Sequence, residues 1–129
     1  MLDFGKFDLA AQSGAGYPYH VRDPLGVPMV LDGEPVEIDL CGADSAVYRN
    51  RQRELARENA DKALDKDTLA MEMLVACTRG WRRIIWDGEL LPFSAENARK
   101  LYAKHEWLRE DCASVILDRA NFLAVAPAG

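Results

Sequence analysis

The first sixteen residues, Met1 to Gly16, mix Gly, Ser, Ala and charged side chains without a hydrophobic period, which predicts a flexible N-terminal arm. From Tyr17 the pattern alternates. Tyr17, Tyr19 and Val21 are interleaved with Pro18, His20 and Arg22, and Asp23-Pro24-Leu25-Gly26 then supplies turn chemistry. Val27 to Leu31 and Val36 to Leu40 are further extended runs on either side of Asp32-Gly33-Glu34-Pro35, and Val36, Ile38 and Leu40 alternate with Glu37 and Asp39. A small β-meander or hairpin over residues 17–41 is the expectation. Pro18, Pro28 and Pro35 each lack the N–H that a ladder needs, so these strands should be short or lie at a sheet edge.

After Gly42 the pattern turns helical. Asp44 or Ser45 is placed to cap a helix over Ala46 to Lys66, whose apolar stripe of Tyr48, Leu55, Ala56, Ala60, Ala63 and Leu64 is thin among Arg, Glu, Asp and Lys. Such a helix buries little. Asp67 or Thr68 is the candidate cap of a second helix, Leu69 to Arg79, which is apolar nearly all round apart from Glu72, Thr78 and Arg79 and should be the centre of the core. Gly80 stands where a left-handed residue commonly ends a helix, and Trp81 to Trp86 then runs extended to an Asp87-Gly88 turn. Leu90, Leu91 and Phe93 should return toward the core. Ser94 caps a third helix to about Lys104, with Ala98, Leu101 and Tyr102 on its apolar side. A last helix from Glu106 to Leu123 aligns Leu108, Cys112, Val115, Ile116, Phe122 and Leu123, and places Arg119 in that stripe as a snorkelling side chain with a carboxylate partner. Ala124 to Gly129 reads as a tail. The expected fold is therefore α+β: one domain over residues 17–123, with a β-rich part (17–41) followed by a mainly helical part (44–123) of about four helices.

Length and charge narrow the functional classes. At 129 residues with 49% hydrophobic side chains the chain is sized for one domain with an adequate core. Its net charge of −5 argues against nucleic acid as partner, because that affinity rests on neutralising phosphates with Lys and Arg. Cys41, Cys77 and Cys112 stand far apart, in neither a disulfide nor a zinc spacing, and are expected as buried small residues in a reducing compartment. The N-terminus has no signal-like apolar core, and the longest apolar stretch, Leu69 to Cys77, is far short of the roughly 20 residues that span a bilayer. A cytoplasmic protein is expected.

No constellation nominates catalysis. His20 and His105 are not in ligand spacing with Cys or carboxylates, the serines lack a nucleophile elbow, and no glycine-rich phosphate loop is present. Neither a metal nor a cofactor is expected. Arg49, Arg51 and Arg53 are compensated by Glu54, Glu58 and Asp61 on the same helix. Arg79, Arg82 and Arg83 lie beside Trp81 and Trp86, a combination that stacks on bases but also dominates protein–protein hot spots, and the acidic balance favours protein. Trp81, Trp86, Leu91 and Phe93 are assigned to core, interface or both. Trp107 and Leu117, off the main stripe of the last helix, are interface candidates. The candidate partner-binding set is therefore Trp81, Arg82, Arg83, Trp86, Leu91, Phe93, Trp107 and Leu117, on the hairpin and the last helix.

Several segments taken together carry a resemblance. Gly42-Ala43-Asp44-Ser45-Ala46 opening a charged helix, Gly80-Trp81, Trp86-Asp87-Gly88-Glu89, Leu91-Pro92-Phe93-Ser94-Ala95-Glu96-Asn97-Ala98, Leu101-Tyr102, Trp107-Leu108-Arg109 and Ala120-Asn121-Phe122-Leu123 resemble the tail assembly chaperones of long-tailed bacteriophages, over about Val36 to Leu123. The resemblance implies a protein in the host cell cytoplasm that binds the helical tape measure protein, keeps it soluble, helps recruit tail tube subunits and leaves the finished particle. It brings no catalytic residues. Self-association is left open. Two other classes stand beside this one: a virion component such as a tail completion or head–tail joining protein, and a small phage regulator that uses the Arg79 to Arg83 patch on nucleic acid or a host protein.

Overall fold

The computed structural model describes residues 4–123; the tail expected over residues 124–129 lies outside them. The fold is α+β. Its centre is a three-stranded antiparallel sheet of order β1-β4-β5, made of β1 (Tyr17–His20), β4 (Glu37–Leu40) and β5 (Thr78–Arg82). Strand β4 pairs on both sides, and its alternation decides its orientation: Ile38 and Leu40 are wholly buried while Glu37 and Asp39 face outward.

The expected meander is only partly what forms. Strands β2 (Val30–Leu31) and β3 (Glu34–Pro35) make a hairpin through Asp32 and Gly33, whose positive φ values of 52° and 78° suit the right-handed twist of its arms. Strand β1, however, skips this hairpin and pairs with β4, in the register Tyr19 opposite Ile38. Backbone bonds from Val21 N–H to Val36 O, Met29 N–H to Val21 O and Val36 N–H to Met29 O tie the hairpin's base to the sheet. The prolines behave as expected, since Pro18 is on the outer strand β1 and Pro35 is in a two-residue strand.

The segment read as an arm is structured where it is described. Phe4–Phe7 form a 3-10 turn, and helix α1 (Leu9–Ala15) starts where the Asp8 carboxylate accepts the Ala11 N–H. Its only fully buried side chain is Ser13, whose carbonyl accepts the Gly42 N–H. A helix that seats a serine rather than an apolar stripe leaves no periodic mark in the sequence. Residues 9–15 are thus helical within the segment where the pattern predicts an arm.

Helix α2 (Ala46–Lys62) is capped by Ser45, which accepts the Tyr48 N–H, and fully buries only Leu55, in line with its thin stripe. Helix α3 (Lys66–Cys77) starts two residues ahead of the candidate caps, at Asp65. It reaches the core with its second half alone: Leu74, Val75 and Cys77 are buried, whereas Leu69, Met71 and Met73 are half-buried. Two further expectations are corrected here. Arg79 and Gly80 belong to β5, not to a helix end, because pairing with β4 claims the backbone straight after Cys77; Gly80 stands opposite Asp39.

Strands β6 (Ile85–Trp86) and β7 (Glu89–Leu90) close on Asp87 and Gly88 with φ values of 51° and 81°, the turn expected from that dipeptide. Helix α4 (Ala95–Lys104), capped by Ser94, buries Ala98, Leu101 and Tyr102 as expected. Helix α5 (Glu106–Leu117) ends six residues before Leu123, since Asp118 turns extended and its carboxylate caps a 3-10 turn, Arg119–Asn121, by accepting the Ala120 N–H. Phe122 is still buried, but that turn presents it, and Arg119 finds its carboxylate in Asp44 at 2.9 and 3.2 Å.

Two polar devices bind the helices together. Glu72 accepts Arg51 from α2 at 3.0 Å and Arg99 from α4 in a bidentate pair at 2.8 Å. Inside the core the Tyr102 hydroxyl meets Thr78 Oγ1 at 2.8 Å, and Thr78 Oγ1 also lies 2.8 Å from the Leu74 carbonyl, so a wholly buried tyrosine keeps its hydrogen bond.

Candidate interaction surface

The eight residues singled out from the sequence fall into four groups. Trp81, Leu91 and Phe93 form one: the half-buried Trp81 indole donates to the Leu91 carbonyl at 2.8 Å and meets the Phe93 ring edge-on at 5.0 Å. This clamp fastens the exit of the β6–β7 hairpin to β5. The clamp leaves Leu90 at 65% and Phe93 at 38% exposure, so those two return toward the core less than their hydrophobicity suggested.

Arg82 and Arg83 form the second group, and both are spent within the chain. Arg82 makes a bidentate pair with Asp39 at 2.8 and 2.9 Å and a bond to Glu37 at 3.2 Å, which together raise its already high pKa, Asp39 foremost. Arg83 donates to the Pro35 carbonyl at 2.8 Å and lies 3.8 Å from Glu34. Its φ of 66° is left-handed, unusual for a bulky residue, and the twist sends Ile84 into the core while Ile85 stays 45% exposed.

Trp86 and Trp107 are joined through His105, with ring centroids 6.3 and 6.0 Å away, and the Lys100 ammonium sits 5.3 Å from the Trp86 centroid. Both tryptophans are half-buried and pack against the core. Leu117 stands apart at 65% exposure.

Two apolar grooves run beside these residues. The first, about 270 Å³, lies between the β2–β3 hairpin and the α4–α5 junction; Met29, Val30, Leu31, Ile84, Ile85, Leu101, Trp107 and Leu108 line it, with Arg83 and His105 as its polar members. Val30 is 61% exposed on its rim. The second, about 230 Å³, is formed by Tyr48, Leu69, Met73, Leu74, Ile116 and Leu117 where α2, α3 and α5 meet, and it continues through Leu69 and Met73 to Leu55 and Ala56.

The hairpin residues Val27, Met29 and Val30 were not singled out from the sequence. The signal was there: Val27 to Leu31 is an apolar run without alternation, and a two-stranded ribbon with one face on a core must leave some of it in water.

Burial pushes the Cys77 and Cys112 thiols up to about 12 and raises Cys41 as well, so all three are held neutral. Among the described residues no group of three or more His, Cys, Asp or Glu is placed to hold a metal ion, and no helix is long and apolar enough to cross a membrane. Comparison with protein-family models, with curated proteins and with solved structures finds no match to this chain.

Proposed function

We propose that this chain is a non-catalytic phage tail assembly chaperone, which binds the tape measure protein through its apolar grooves and helps gather tail tube subunits around it in the host cell cytoplasm. The observation that carries the reading is the groove beside Trp107, walled by the β2–β3 hairpin and rimmed by Val30 and Ile85, both open to solvent. A long helical partner presents apolar stripes, and a groove that accepts them by shape covers such stripes without reading a fixed sequence. The Leu117 groove supplies a second seat on another face. The sequence resemblance over Val36 to Leu123 names the partner; the grooves supply a means of holding it.

The reading of Arg79 to Arg83 as a nucleic-acid patch loses support, because Arg82 and Arg83 face carboxylates and the Arg79 guanidinium donates to the Gly14 carbonyl at 2.8 Å. Co-expression with the tape measure protein of the same phage tests the proposal. The two should co-purify, and Trp107→Ala combined with Leu117→Ala should abolish the complex while leaving the circular-dichroism spectrum unchanged. No complex with the wild-type chain, or one indifferent to both substitutions, overturns it. Mass spectrometry of purified virions should find the chain absent or scarce, and stoichiometric presence would instead make it a virion component.

A further inference from the structure

The charges around Trp107 indicate what kind of segment enters its groove. The indole is a shared wall: beyond the apolar groove with Val30 and Ile85, it also lines a more polar cleft with Asp23, Glu110 and Asp111. Trp107, Glu110 and Asp111 stand at i, i+3 and i+4 of α5 and so share one face of the helix. The cleft's single cation, Arg22, is turned to the Gly26 carbonyl at 3.0 Å, and Asp23 accepts the Leu25 and Val27 N–H groups of its own loop. Among the described residues neither Glu110 nor Asp111 has an ion-pair partner, whereas Arg83, the arginine lining the groove, lies 3.8 Å from Glu34 and donates to the Pro35 carbonyl.

We infer that the occupant is an amphipathic segment whose apolar side chains enter the groove beside Trp107 and whose Lys or Arg residues, about one helical turn along, lie against Glu110 and Asp111. This rests on the reading of the groove as a protein-binding surface and adds the chemistry of what it selects. The groove's 270 Å³ has room for one or two anchoring side chains. Unpaired rim carboxylates give such a contact its orientation and speed of encounter. They also disfavour a second copy of this chain on the same face, since a two-fold axis through it brings like charges together.

Three labelled peptides of about 18 residues (some five helical turns) test the inference, sharing one leucine stripe and flanked by Lys, Gln or Glu. Fluorescence anisotropy with the full chain should show the Lys peptide binding about tenfold tighter than the Glu peptide, with the gap closing at high salt. Glu110→Lys with Asp111→Lys should invert the order, and Trp107→Ala should weaken all three. Should the reversed variant fail to fold by circular dichroism, Glu110→Gln with Asp111→Asn should erase the order instead. Equal binding of the three peptides, unmoved by these changes, overturns the charge selection and leaves the groove as an apolar docking site. No binding of any peptide, or binding indifferent to Trp107, removes the groove from the reading altogether. A dimer in sedimentation that Trp107→Ala dissolves makes a second copy the occupant and also overturns the inference.

Discussion

Gly42 lies where Ser13 of α1 meets Phe122, just after the Arg119–Asn121 turn, and replacing it with alanine probes that junction. A Cβ built there lies 2.8 Å from Ser13 Oγ, 2.8 Å from Phe122 Cδ2 and 2.9 Å from Phe122 Cε2, all closer than carbon tolerates. Both obstacles are side chains, and both Ser13 and Phe122 are buried. Forcing one methyl group into a packed site costs typically about 1–3 kcal/mol. The upper half of that range is expected, because moving the Phe122 ring also disturbs its edge-on contact with Tyr17 at 6.0 Å. Urea denaturation followed by circular dichroism reads the loss as a lower midpoint at unchanged slope. Phe122→Ala should itself cost about 3–5 kcal/mol. In that background the Gly42→Ala penalty should fall below about 1 kcal/mol, since the ring that opposed the methyl is gone. A neutral Gly42→Ala, or a penalty of the same size in both backgrounds, would refute the claim that α1 and the C-terminal turn are packed through this glycine.

Glu72→Gln removes the charge that holds Arg51 and Arg99 and should cost about 1 kcal/mol at neutral pH, kept modest because Arg99 is nearly half exposed. Hydrogen bonds from Arg99, and then from Arg51, hold the Glu72 carboxyl below its ordinary 4.5. Its contribution is therefore complete above that value and lost as pH falls through the lower folded one, so wild type and variant should converge in acid; a gap that stays constant down to pH 2–3 (roughly, below the usual carboxylate range) would contradict this. The three cysteines, buried and held as neutral thiols, should resist an aromatic disulfide reagent in the native protein and react together on unfolding. Rapid reaction of any one of them under native conditions would show that its cover opens.

Local chemistry was legible wherever neighbours in sequence decide the outcome. Ser45 and Ser94 cap the helices they precede, Asp32-Gly33 and Asp87-Gly88 turn their hairpins, and the alternation of Val36, Ile38 and Leu40 puts all three inside. The hydrogen bonds involved span three or four residues, and no distant partner competes for them. The candidate surface was legible in part. Trp107 and Leu117 were visible as side chains off the main stripe of a helix, and both line grooves. The arginines could not be judged from composition, because the carboxylates that engage Arg82 lie more than forty residues away, on β4.

What the chain settles unaided is therefore its set of elements and their polar and apolar sides, since backbone geometry and the turn residues act within a few positions. Only the tertiary structure decides that β1 passes over the hairpin to pair with β4, that Gly80 extends a strand instead of ending a helix, and that Ser13 of α1 and Phe122 both close on Gly42. Those outcomes depend on which surfaces meet after collapse, where pairing of β4 on both edges and close approach at Gly42 outweigh the local preference of each segment. The grooves beside Trp107 and Leu117 belong to the same class, for each is walled by elements that come together only in the folded chain.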